Sequence, residues 1–124
     1  MERYRVKPGC RPSLKRCDPD DTGSYKKNEA AKAKAKTATA KHIATLDQLQ
    51  ERLYANRTRA LLIILQGMDT SGKDGTIKHV MSGVNPQGCH VASFKAPSEK
   101  ELEQDFLWRI HQEVPAKGYI GIFN

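Results

Sequence analysis

The chain has 124 residues, 38% of them hydrophobic, which allows one small domain with a modest core. Its formal charge of +7 is uneven: residues 1–42 hold 12 Lys and Arg against 5 Asp and Glu, while residues 43–124 hold 9 of each. No run approaches the ~18 apolar residues of a membrane span, and the opening lacks the apolar core of a secretory signal. Cys10, Cys17 and Cys89 show no paired spacing, which argues against a disulfide framework or a zinc site and for a reducing cytoplasm.

Residues 1–28 carry Pro8, Gly9, Pro12, Pro19 and Gly23 among charges, and Asp18-Pro-Asp-Asp-Thr-Gly is turn chemistry, so an extended basic arm is expected. Such an arm suits a polyanion, whether nucleic acid, an acidic membrane surface or a phosphate polymer, or it is a solvated tail. The alanine and lysine tract from Glu29 to Lys41 has the propensity of a helix. Ile43, Leu46, Leu49 and Leu53 extend it with an apolar stripe, Gln50 and Glu51 lying on the other side, to an end near Tyr54 to Asn56. That stripe should face the sheet.

Ala60 to Leu65 is a short aliphatic run, as in a strand buried on both faces of a parallel sheet. Gly67 to Gly75 follows, reading Gly-Met-Asp-Thr-Ser-Gly-Lys-Asp-Gly, and then Ile77, Val80, Met81 and Val84 recur at helical spacing, so a helix should open near Gly72. Strand, glycine loop and helix are the context a phosphate-binding loop needs. Glycines turn backbone N–H groups inward, the free donors at a helix start favour an anion, and Lys73 adds a point charge. The candidate phosphate-binding residues are Gly67, Met68, Thr70, Ser71, Gly72, Lys73, Asp74 and Gly75. Asp74 stands where a hydroxyl usually follows the lysine, and Asp69 lies inside the loop. Two carboxylates among phosphate donors require a cation between them, which makes Asp69 a candidate for metal or acceptor contact. Asp69 capping its own turn and Asp74 merely favouring a first helical turn are the alternatives.

Beyond the turn Asn85-Pro-Gln-Gly, Cys89 to Phe94 reads as a second strand. Lys95 stands just past it, on the rim where ligands gather in open parallel sheets, and is a further phosphate candidate or a solvated lysine. Ser98 and Glu101 form a capping-box pattern opening one helix through about Val114, with Leu102, Phe106, Leu107 and Ile110 among its apolar positions. Trp108 reads as packing, and nothing in the spacing selects Arg109 or His111 for an anion. Tyr119 to Phe123 is a third strand.

The glycine loop through Val80, with Gly83-Val-Asn-Pro-Gln-Gly, Ser93-Phe-Lys-Ala-Pro-Ser, Asp105-Phe-Leu-Trp-Arg and Gly121-Ile-Phe-Asn, resembles the second family of polyphosphate kinases. Tyr4-Arg-Val and Asp18-Pro-Asp-Asp-Thr-Gly resemble the opening of members that phosphorylate nucleoside mono- and diphosphates. The resemblance spans nearly the whole chain and is weakest over residues 24–45. It implies an α/β, P-loop kinase-like parallel sheet with flanking helices, apparently truncated after the third strand and preceded by the arm of residues 1–28. Residues 29–124 would then be the amino-terminal part of the kinase domain: a helix over 29–56 and a βαβαβ core over 60–124.

The same resemblance implies phosphoryl transfer between inorganic polyphosphate and AMP or ADP with Mg2+, and makes the positions of Asp69 and Lys73 catalytic. A cytoplasmic homo-oligomer with no nucleic-acid or membrane partner is expected. By analogy with P-loop kinases, the third strand should lie between the other two, leaving the glycine-loop strand at an open edge. An ATP-dependent small-molecule or nucleotide kinase of the same fold and a non-catalytic polyanion-binding module are the competing functions.

Overall fold

The computed structural model describes residues 4–13, 15, 17–68 and 70–124. The chain forms two compact units, Met1–Lys36 and Thr37–Asn124, and the division falls inside the first helix, α1 (Glu29–Asn56).

In the first unit, the described residues before α1 form turns rather than regular helix or strand. Asp18 Oδ1 accepts from Asp20 N, Asp21 Oδ1 accepts from Gly23 N at 2.9 Å, and Asp21 Oδ2 accepts from the Tyr4 hydroxyl at 3.2 Å. The first two are the short side-chain-to-backbone bonds that aspartate makes in turns, and the third joins side chains seventeen residues apart. Asn28 then caps α1, its Oδ1 accepting from Ala31 N at 2.8 Å.

The second unit is built on a parallel sheet of β1 (Leu61–Ile64), β2 (Cys89–Ala92) and β3 (Ile120–Phe123) in the order β1-β3-β2. Ile64, Phe123 and Ala92 stand level in the register, so all three strands end on one rim. The helices are α2 (Lys73–Val80), α3 (Glu99–Leu102) and α4 (Trp108–Glu113), with a 3-10 turn over Pro86–Gly88. All of β3 is buried, and Ile120, Ile122 and Phe123 form the core with Val84 and Ala92.

Three expectations are corrected. Leu61, Leu62 and Ile64 are exposed, Ile64 to 65%, so β1 is not buried on both faces; it pairs with β3 alone and is an edge strand, as expected, with β2 the edge on the other side. The inner face of α1 keeps Ile43, Leu46 and Leu53, all half-buried, but one position of the expected stripe is displaced. Gln50 is buried, whereas Leu49 is 54% exposed. Gln50 lies against Gly88, where any Cβ would collide with its amide, and Tyr54 packs edge-on against Tyr119 at 5.5 Å. Ile43, Gln50 and Tyr54 thus set the helix phase, because a glycine and an aromatic ring on the facing loops leave room for an amide and not for Leu49.

The single helix from Ser98 to Val114 is two short ones. Asp105 Oδ1 accepts from Leu107 N and Asp105 O from Trp108 N, a local turn that competes with the helical ladder. Leu102, Phe106 and Leu107 consequently stay exposed. The capping box forms as expected: Glu101 Oε2 accepts from Ser98 N at 2.6 Å and from its hydroxyl at 2.9 Å.

Candidate functional site: a phosphate cradle at the rim of the sheet

The loop that follows β1 is shaped by two close constraints. A Cβ on Gly67 would lie 2.6 Å from Ser71 Oγ, so only glycine lets the start of the loop fold against its middle. Gly72 precedes α2 with φ 85°, a left-handed conformation that glycine adopts without cost. Thr70 also has a positive φ of 63°, uncommon for a residue with a branched side chain. Ser71 N donates to Met68 O, and Thr76 returns both its N–H and hydroxyl to Gly72 O, which fixes the helix start.

Lys73 is the first residue of α2 and folds back across the loop, its Nζ donating to Met68 O at 3.3 Å and Gly67 O at 3.4 Å. The ammonium therefore stands over the loop rather than in open solvent. Thr70, Ser71, Gly72, Lys73, Asp74 and Gly75 line a hollow of 170 Å³ at the helix start. Met68 points outward, 85% exposed. Asp69 lies outside the described residues.

Asn124, which the sequence reading did not single out, belongs to this site. Its Nδ2 donates to Asp74 Oδ1 at 2.7 Å, tying the first turn of α2 to the end of the central strand. Its Oδ1 is buried and has no protein hydrogen bond among the described residues. The rule that placed Lys95 on the rim, a polar residue just past a parallel strand, would have found it. A hard cation fits this donor set: an aspartate oxygen and a buried amide oxygen are the ligands Mg2+ uses when phosphates and waters complete its shell. Among the described residues no group of three His, Cys, Asp or Glu could hold a metal by itself.

Lys95 is exposed on the same rim, and its backbone is held in place. Phe94 N donates to Asn124 O at 3.0 Å, and Arg109 Nη2 donates to Lys95 O at 2.9 Å. The Arg109 guanidinium also sits 5.2 Å from the Phe94 ring and 3.2 Å from Glu101 Oε1. The Ser98 N–H, its hydroxyl and then Arg109 hold the Glu101 carboxyl below its ordinary range. Arg109 is thus a brace between α4 and the loop after β2. His111 is exposed, and Trp108 carries Lys100 Nζ at 5.7 Å over its ring. Burial pushes the Cys89 thiol up, away from nucleophilic chemistry. A recess of 620 Å³ beside the cradle is lined by Leu62, Ile64, Gly67, Lys73, Phe94 and Asn124, among others, and joins the apolar face of β1 to the polar rim.

A glycine loop between a parallel strand and a helix, with its lysine drawn over the loop, defines an α/β protein of the P-loop kinase fold. Residues 28–124 match the family model of polyphosphate kinase 2. The chain is 52% identical over all of its length to an AMP/ADP-polyphosphate phosphotransferase of Meiothermus ruber, of which it covers 45%, and 57% identical over 64% of its length to an ADP-polyphosphate phosphotransferase of Rhodopseudomonas palustris, of which it covers 27%. The crystal structure of polyphosphate kinase 2 from Arthrobacter aurescens superposes with a TM-score of 0.85 over 98% of this chain and 43% of that one, at 42% identity. The chain belongs to the polyphosphate kinase 2 family. It spans less than half the length of these relatives.

Proposed function

We propose that this chain carries the donor-phosphate cradle of a phosphotransferase that moves phosphoryl groups between inorganic polyphosphate and AMP or ADP. The observation that carries the reading is Lys73, held over the glycine loop with Asp74 and Asn124 beside it. Phosphoryl transfer is chiefly positioning and charge neutralisation, and this arrangement offers both. The loop N–H groups and Lys73 would bind the outer phosphates, and Lys95 would extend the positive rim. Asp74 and Asn124 would hold Mg2+, with Asp69 as the candidate metal or acceptor contact that the sequence offers. When bound, that ion neutralises charge on the phosphate oxygens. The reading includes a cytoplasmic homo-oligomer; no helix among the described residues is long and apolar enough to cross a membrane.

The relatives carry more than half of their length outside the matched stretch, so the proposal assigns residues 1–124 the cradle and not the whole reaction. The 124-residue polypeptide alone is expected to bind tripolyphosphate and to show no polyphosphate-dependent formation of ADP or ATP. Lys73→Ala should lower the tripolyphosphate affinity at least ~10-fold, or about 1.4 kcal/mol, in calorimetry. Equal binding by the variant would refute the cradle. In a complete enzyme carrying this stretch, Asp69→Asn should lower turnover by about 10²-fold or more, as loss of a group that stabilises transition-state charge does; an unchanged rate at saturating magnesium would return Asp69 to turn capping.

A further inference from the structure

The basic excess of the chain lies outside the cradle. Lys26, Lys27, Lys32, Lys34 and Lys36 are all exposed in the unit Met1–Lys36. Four acids lie near them in sequence: Glu29 shares their surface, Asp20 is exposed, and Asp18 and Asp21 accept backbone N–H groups of their own turn, Asp21 also accepting from Tyr4. Among the described residues, the one ion pair of these lysines is Lys32 with Glu29 at 3.6 Å, side chains 63% and 91% exposed, and such surface pairs hold little. Two recesses open here. One, of 410 Å³, has Tyr25, Lys26, Lys27 and Lys32 in its wall, and the other, of 280 Å³, has Tyr25, Lys26 and Lys34. Lys26 is common to both.

We propose that this lysine surface is a second binding site for a long inorganic polyphosphate chain, separate from the glycine loop; this rests on the polyphosphate reading above. The chemistry selects a phosphate homopolymer over a nucleic acid. All five cations are lysines, compact point charges that need no oriented partner, and arginine forks that read planar groups are missing from the set. Single-stranded nucleic acid is gripped by aromatic rings as well as charge, and Tyr25, 38% exposed, is the one ring in the two recess walls. Lys32 and Lys36, four residues apart, share one face of the helix and Lys34 stands on the opposite one, which suits a flexible polymer that crosses from face to face better than a flat, rigid one. Two contacts on one polymer make long chains bind more tightly than short ones without any change at the loop.

The test uses the full chain, with Lys26, Lys27, Lys32 and Lys34 replaced together by Gln, a strong helix former. Calorimetry with long-chain polyphosphate should show at least a ~10-fold loss of affinity and a flatter dependence on salt, as fewer counterions are released. Tripolyphosphate binding should stay at the wild-type value, and circular dichroism should report the same helix content. Lys26→Gln alone should give a smaller loss of the same kind. Wild-type affinity of the fourfold variant for long chains would overturn the proposal, as would equal losses for long and short chains. Tighter binding of oligothymidylate than of polyphosphate, abolished by the same four changes, would make the surface a nucleic-acid site instead. Lys73→Ala keeps the two readings apart: it should weaken tripolyphosphate binding and leave the advantage of long over short chains in place.

Discussion

Leu61–Ile64 and Ile120–Phe123 are both strands of four residues, both almost wholly apolar, and both lie in one parallel sheet, yet every residue of the second is buried and none of the first is. The difference is the number of neighbours. β3 has a strand on each side, and Pro115 packs against its Gly121, whereas β1 has β3 on one side only. An apolar run therefore tells that a strand forms and not how much of it is covered. The glycine loop springs from the poorly covered strand, so the proposed phosphate cradle is attached to the least packed part of the sheet.

Truncations should separate the two strands most sharply. Ile120→Ala removes a side chain that is 1% exposed and should cost ~2–5 kcal/mol in urea unfolding. Ile64→Ala, at 65% exposure, should stay within ~0.5 kcal/mol. Equal losses at the two positions would break the comparison. A step smaller, Gly121→Ala would put a methyl 2.7 Å from Pro115 Cγ and should cost ~1–3 kcal/mol by overpacking; a neutral result would mean that Pro115 moves aside freely.

The open edge has its own signature. Unpaired backbone groups and bare aliphatic side chains on β1 favour association, so the 124-residue polypeptide should self-associate in sedimentation, and Ile64→Lys should shift it toward the monomer. A wild type already monomeric at high concentration would show that β1 is protected in a way the strand pairing does not reveal. The smallest effect expected is at the brace. The folded-state pKa of Glu101 is depressed, so its stabilising contribution is present above the unfolded carboxyl value of about 4.3 and is lost as pH falls through the lower folded value. Thermal unfolding followed on the acid side should fall less steeply for Glu101→Gln than for wild type, and identical slopes would remove Glu101 from the account.

The glycine loop was legible because its signals are local. Gly67, Gly72 and Lys73 act within a single turn of chain, through contacts at separations of four to six residues or through a backbone dihedral. Helix α1 was legible in extent, ending at Asn56, and in most of its inner face, Ile43, Leu46 and Leu53, but the facing Gly88 and Tyr119 choose Gln50 and Tyr54 over Leu49. The break between α3 and α4 had a signal in Asp105, a residue that makes turns as readily as it sits on a helix face. Asn124 needed the sheet to be assembled before it could be seen beside Asp74, fifty residues earlier.

The sequence by itself determined most of the elements and the glycine loop that links β1 to α2, because propensity, capping and glycine conformations operate over a few residues. The strand order with β3 at the centre was expected by analogy with P-loop kinases and is observed; only the tertiary structure decided how bare β1 is left, that Gln50 takes the inward place expected of Leu49, and that Asp74 meets Asn124. Those outcomes depend on which surfaces far apart in the chain come into contact, and close packing admits one arrangement of them where the local pattern allowed several.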